Sequence, residues 1–135
     1  MPDTTADKPT ILIRDDLPTG VKANIGAVLG MSLGHLRPGF IGPDIKDAEG
    51  TRFPGITTMP IPVLGVSAER MGQVFEAAGD LPIRVPFTRT ALEAKDYTAY
   101  QSRVGSESRH EILGLLLCGP RKAVSRLCGH LPLLR

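Results

Sequence analysis

The run Glu111-Ile-Leu-Gly-Leu-Leu-Leu-Cys118 constrains this chain more than any other stretch. It is apolar at nearly every position, without the alternation of a strand that has one face in water. Such a run reads as a strand buried on both faces. A strand of that kind needs helices above and below it. The chain must therefore fold as layers, with a sheet in the middle.

The flanking sequence supplies the other layers. Pro120–Gly129 reads as a closing helix with Pro120 in its first turn. Residues 10–16 form a first strand that ends in acids. Val21, Ile25, Val28, Leu29, Leu33 and Leu36 recur at helical spacing across 17–36, with Thr19 as cap. Gly26, Gly30 and Gly34 fall four apart on that helix and imply another backbone close by. Residues 60–67 and 81–87 read as further strands. A helix follows the first of these over 67–80, capped by Ser67 and stopped by Gly79. A helix over 88–104 opens with Thr90 and Glu93 as a capping box. The alternation predicts a three-layer α/β/α sandwich around a four- or five-stranded mixed sheet. The predicted core includes Ile11, Ile13, Val28, Leu29, Val63, Val74, Leu115, Leu117 and Val124.

The chain has 135 residues, which fits one domain. We expect a polar disordered tail over 1–9 and a single α/β domain over 10–135. The chain has no Trp, so Leu, Val, Ile and Ala must build the core. Residues 37–58 are rich in Gly and Pro and read as an irregular segment with a turn at Ala48-Glu49-Gly50. Asp44, Asp47 and Glu49 in that segment lack calcium-loop spacing, so a solvated turn is expected. The terminal Leu131-Pro-Leu-Leu134 is too short for a helix and should pack on the sheet or extend its edge.

Composition also narrows function. The net charge of +2 is modest for a general nucleic-acid binder. Without a long apolar run or an apolar leader, the expectation is a cytoplasmic protein with no membrane partner. Cys118 and Cys128 form no C-x-x-C pair and read as free thiols. His35, His110 and His130 are scattered, so neither a metal nor another cofactor is expected. Cys118, before a helix start, is the one thiol whose pKa could fall, although a buried inert cysteine is the simpler reading.

In open α/β sheets, ligands sit where strands hand over to helices. Three handovers stand out: Arg14–Asn24, Pro86–Ala91 and Cys118–Lys122. If they share one sheet end, Lys22, Arg89, Thr90, Arg121 and Lys122 converge on an anion, with Asp16 and Asn24 at the wall. Solvated cations, and an Arg14–Asp15–Asp16 cluster that pairs with itself, are the plainer alternatives.

Residues 10–135 also resemble a bacterial family called domain of unknown function two thousand. The resemblance rests on "ILIRDDL", "GPDIKDAEG", "FTRTALEAKDYTAY" and "GLLLCGPRKAVSRLCGHLPLLR". That family in turn resembles the archaeal and eukaryotic type of peptidyl-tRNA hydrolase. Arg14, Asp16, Leu17 and Gly20 match its first segment, and Arg89 and Thr90 its second. Gly119-Pro120 and Gly129-His130-Leu131 match its ending. The resemblance implies ester hydrolysis with Lys22, Asp16 and Thr90 as catalytic residues. Arg14, Asn24, Arg89, Gly119, Arg121 and Lys122 would hold the substrate. Lys22 is one position out of step with the family lysines, and the acid of the second segment falls on Pro86. Three functions stay open: an esterase on peptidyl-tRNA, an enzyme for a small anionic metabolite, and a non-catalytic binding module. A homodimer is a further expectation.

Overall fold

The computed structural model describes residues 7–135. Four strands form the main sheet: β1 (Asp7–Arg14), β4 (Val63–Val66), β5 (Ile83–Thr88) and β6 (Ile112–Pro120), in the order β4-β1-β6-β5. β1 and β6 thus lie inside the sheet, and both are buried along most of their length. β1 runs parallel to β4 and antiparallel to β6, and β5 is also antiparallel to β6. The sheet is mixed, as expected.

Alternation along β1 divides the core. Ile11 and Ile13 face α1 (Thr19–Leu36), whose Ile25, Leu29 and Leu33 are buried against them. Leu12 faces the opposite layer. There α2 (Ala68–Ala77) and α5 (Arg121–Cys128) contribute Met71, Val74, Val124 and Cys128 over Leu115 and Leu117. The β5–β6 register slips between Phe87 and Thr88. Beside this bulge lies Gly114. A Cβ at Gly114 would run into Ile25 Cγ2, so the glycine lets α1 settle directly on β6.

Several details differ from the sequence reading. β1 begins at Asp7, so only residues 1–6 of the expected tail lie outside the described residues. Pro18, not Thr19, stands at the N-cap of α1, and no side chain caps it. Val28 is 42% exposed and Leu36 41%, because the buried stripe narrows to residues four apart. Val63 is half-buried at the start of β4. The other predicted core residues are buried. Only Gly26 of the glycine stripe has a close neighbour, Ile13 Cδ1 at 3.9 Å from a notional Cβ; Gly30 and Gly34 meet nothing.

The helix expected over 88–104 is two helices, α3 (Arg89–Glu93) and α4 (Tyr97–Ser106). Thr88 caps α3 by accepting from the Ala91 N–H, and Asp96 caps α4 by accepting from the Ala99 N–H. The Thr90–Glu93 capping box does not form because Thr90 already lies inside α3. Asp96, a strong cap residue in mid-run, starts a new helix instead.

Residues 37–58 form a 3-10 turn, Pro38–Phe40, and a hairpin of β2 (Ile45–Lys46) and β3 (Arg52–Phe53). Gly50 takes the positive φ of 84° at its turn. Asp47 accepts from the Glu49 and Thr51 N–H groups, and Asp44 accepts from Arg52 Nε and the Gly55 N–H. These acids therefore build the turn. Backbone donation, chiefly from Thr51, holds the Asp47 carboxyl below its usual range. The terminal stub does extend an edge: Leu133 bridges Leu64 antiparallel on the outer side of β4, through Gly65 N–H to Pro132 O and Leu134 N–H to Val63 O.

Candidate functional site

The sheet register decides which sequence segments share an end. β1, β4 and β5 all finish at the end where β6 begins, since Ile13 lies beside Gly114 and Thr88 beside Ile112. β6 finishes at the other end, with Gly119 beside Lys8 and Pro120 beside Asp7. Gly119, Arg121 and Lys122 therefore do not join Lys22, Arg89 and Thr90. The expected five-residue cationic pocket is not formed, because β6 runs antiparallel to β1 and β5 and hands over to α5 at the opposite end. Arg121 and Lys122 are exposed.

The shared end carries a network of guanidinium and carboxylate groups. Arg14 grips Asp16 with both arms, at 3.0 and 2.7 Å. A third Arg14 nitrogen lies 3.5 Å from Glu111, and Arg89 Nε donates to the same Glu111 oxygen at 2.8 Å. Hydrogen bonding from Arg14 holds the Asp16 carboxyl below its ordinary range. The reciprocal bond to Asp16 raises Arg14. The Arg14 side chain is 12% exposed and that of Asp16 53%. The guanidinium is thus a fixed base plate, and the carboxylate above it is open to solvent. Each cation here has an acid against it, so the end is charged but nearly balanced.

The remaining predicted site residues sit around this network. Lys22 Nζ donates to the Arg135 carbonyl at 3.0 Å. Thr90 is buried and its Oγ1 donates to the Glu107 carboxylate, at 3.3 and 3.2 Å from its two oxygens. Glu107 also faces Arg103 and His110. Thr90 is therefore engaged in anchoring α3 to the end of α4. Glu111 and Glu107 were not foreseen. Their only signal is an acid beside the buried strand, and its meaning depends on the antiparallel pairing of β6.

A cleft of about 460 Å³ opens between α1 on one side and β5, α3 and α4 on the other. Val28, Leu29, Val85, Pro86, Phe87, Ala91, Leu92 and Ala94 form its apolar wall. Asn24, Ser32, Asp96, Tyr97 and Tyr100 supply polar groups. Asn24, Val28 and Ser32 lie four apart, so one flank of α1 faces the cleft. The two tyrosine rings are 5.5 Å apart and tilted by 58°. Pro86 suits its place on an edge strand, where a missing N–H leaves no gap in a central ladder. The exposed Val28 thus has a setting: it is cleft wall, not core. A second cavity of about 470 Å³, beside Pro82, Pro120 and Arg126, lies near the other sheet end.

Cys118 and Cys128 are free and buried. Burial pushes both thiols up, which agrees with the simpler reading of Cys118 as a buried, inert cysteine. Among the described residues, no group of three His, Cys, Asp or Glu side chains is placed to hold a metal, and no helix is long and apolar enough to cross a membrane.

A family model described as Protein of unknown function (DUF2000) matches residues 7–135. A solved structure, the protein of unknown function Atu0240 from Agrobacterium tumefaciens strain C58, superposes with a TM-score of 0.88 at 19% identity. The match covers 96% of this chain and 98% of that one. At that identity the likeness shows a shared fold. No curated protein matches the chain.

Proposed function

The chain belongs to the DUF2000 family, and on that premise we propose that it binds a small molecule with an apolar body in the cleft between α1 and β5. One observation carries this reading: the cleft is apolar-walled, has a few polar groups, and its volume of about 460 Å³ falls in the range of small-molecule sites. The cleft ends on α3, whose first residue, Arg89, belongs to the charged network. A ligand with an apolar body and one polar head suits that arrangement better than a polyanion. The protein acts in the cytoplasm in this proposal, where Cys118 and Cys128 stay reduced.

The test is thermal stabilisation by medium-chain fatty acids and their N-acylglycines. A ligand at a hundredfold its Kd adds about 2.7 kcal/mol to stability. Val28→Trp fills the cleft from an exposed position and should abolish the shift. Equal shifts in wild type and Val28→Trp, or no shift with any chain length, overturn the reading.

Hydrolysis of an acylated, phosphate-bearing substrate is a second reading, with peptidyl-tRNA as first candidate. What favours it is that Arg14, Asp16, Arg89 and Thr90, which match the first two segments of peptidyl-tRNA hydrolase, lie at the sheet end next to the cleft, while the matching Gly119-Pro120 lies at the other end. The acyl part would occupy the cleft, and Asp16 would orient water. Lys22 would stabilise developing negative charge on the ester oxygen. Arg121 and Lys122 lie at the far end and take no part. Release of peptide from peptidyl-tRNA, lost in Asp16→Asn, supports this reading; turnover equal to buffer rejects it.

A further inference from the structure

Taking small-molecule binding in the cleft between α1 and β5 as given, we propose that the apolar body of the ligand is an aromatic ring, held by Tyr97 and Tyr100. The chain is poor in aromatic side chains, with two tyrosines, four phenylalanines and no tryptophan. Both tyrosines and Phe87 nevertheless line this one cleft. The tyrosines stand three apart on α4, so their rings share one face of the helix. Their centroids are 5.5 Å apart and their planes are tilted by 58°. Rings in that relation present a face and an edge side by side.

The pair has no task in the core. α4 buries none of its 10 residues. Tyr97 is 72% exposed and Tyr100 is half-buried. Polar ties hold the helix instead. Asp96 caps its start by accepting from the Ala99 N–H, and Glu107, just past its end, accepts from Thr90 Oγ1. A helix fixed at its two ends can present rings without committing them to the core. Ala91 and Ala94 leave room beside those rings, where longer side chains would fill the cleft.

The chemistry of the wall selects a ring over a plain chain. An acyl chain gains only from area taken out of water. A planar ring gains that, and also the offset or edge-on contacts that aromatic pairs prefer. Tyrosine has two χ angles to immobilise, so the contact costs little conformational entropy. Among the described residues that line the cleft, Asp96 alone is charged. Its carboxylate turns an acid head away from the tyrosines. The ligand class is therefore an aryl-substituted acid, with its ring against α4 and its head toward Arg89 at the start of α3.

Thermal shifts with phenylbutyrate and its saturated counterpart, cyclohexylbutyrate, test this. The two share chain and head, so the ratio of their half-saturating concentrations reads the ring. Tyr97→Leu combined with Tyr100→Leu keeps apolar area and should lower the preference for the phenyl compound by about three- to tenfold, with an unchanged far-UV circular dichroism spectrum. A second measurement needs no variant. With only two tyrosines in the chain, nuclear Overhauser contacts from phenyl protons to tyrosine ring protons report on this cleft alone, and wild type should show them. An unchanged preference in the folded double variant, a response to the saturated compound alone, or a bound phenyl ring without tyrosine contacts overturns the aromatic assignment and leaves the cleft reading standing. No shift from either compound or from any acyl chain removes the cleft reading, and the aromatic assignment falls with it.

Discussion

Arg89 and Glu111 are joined twice. The Arg89 backbone N–H donates to the Glu111 carbonyl at 2.9 Å, and its Nε donates to the Glu111 carboxylate at 2.8 Å. The pair closes the β5–β6 ladder just beyond its bulge and fixes the direction in which α3 departs. Glu111 also faces Arg14, so one carboxylate lies against two guanidinium groups and offsets part of their charge.

Removing that carboxylate leaves Arg89 without its acid, while Arg14 keeps Asp16. Glu111→Gln keeps the backbone bond and should cost less than about 1 kcal/mol of stability, as for a half-exposed ion pair. It should also turn a balanced site into an anion site. Phosphate titrated into labelled protein should shift the Arg14 and Arg89 side-chain resonances in the variant at concentrations that leave wild type unmoved. Equal responses show that Glu111 does not neutralise this end.

Asp16 gives the site a pH signature. Its folded pKa is depressed, first by the hydrogen bonds from Arg14. The stabilisation is therefore present above the unfolded carboxylate value of about 3.9 and is lost as pH falls from there through the folded value. Asp16 is half exposed, so solvent screening limits the effect to about 0.5 kcal/mol. Asp16→Asn should lower stability slightly at neutral pH and flatten the acid limb of the urea midpoint below about pH 4. Parallel wild-type and variant curves show that Arg14 does not hold Asp16.

The layers and inner strands were legible because burial on two faces leaves an unmistakable apolar run, as at Ile112–Cys118. The turn at Gly50 and the cap at Ser67 were legible because their chemistry is local. Strand direction was not. Nothing in Gly119-Pro120-Arg121 tells whether β6 enters from one end or the other, and that single sign moves Arg121 and Lys122 across the sheet. The cleft was hidden for a related reason. Val28 has the spacing of a core residue, but whether a wall or a neighbour stands opposite depends on where α3 and α4 fall, and Asp96 splits those helices. Glu111 could acquire a role only once β5 and β6 were paired.

Gly114 tests the packing of α1. Gly114→Ala places a methyl group against Ile25 and should cost about 1–3 kcal/mol by overpacking. Leu117→Ala on the same strand faces the other layer and leaves a cavity instead, with an expected cost of about 2–5 kcal/mol. Urea unfolding measures both. A neutral Gly114→Ala would mean that α1 rides higher over β6 than the contact with Ile25 implies.

The two ends of the sheet can be separated by ligand response. If function sits where β1, β4 and β5 end, the cations on α5 are bystanders. Arg121→Ala with Lys122→Ala removes two charges from exposed positions at the far end, with a stability change within about 0.5 kcal/mol. Thermal stabilisation by an acyl ligand should match wild type in this double variant. Val28→Trp should lose it, because the indole takes the space between α1 and β5. Arg89→Ala should retain part of it, since the apolar wall stays intact while the charged rim is cut back. If instead the α5 variant loses the response and Val28→Trp keeps it, the ligand lies in the cavity beside Pro120, and the cleft reading falls.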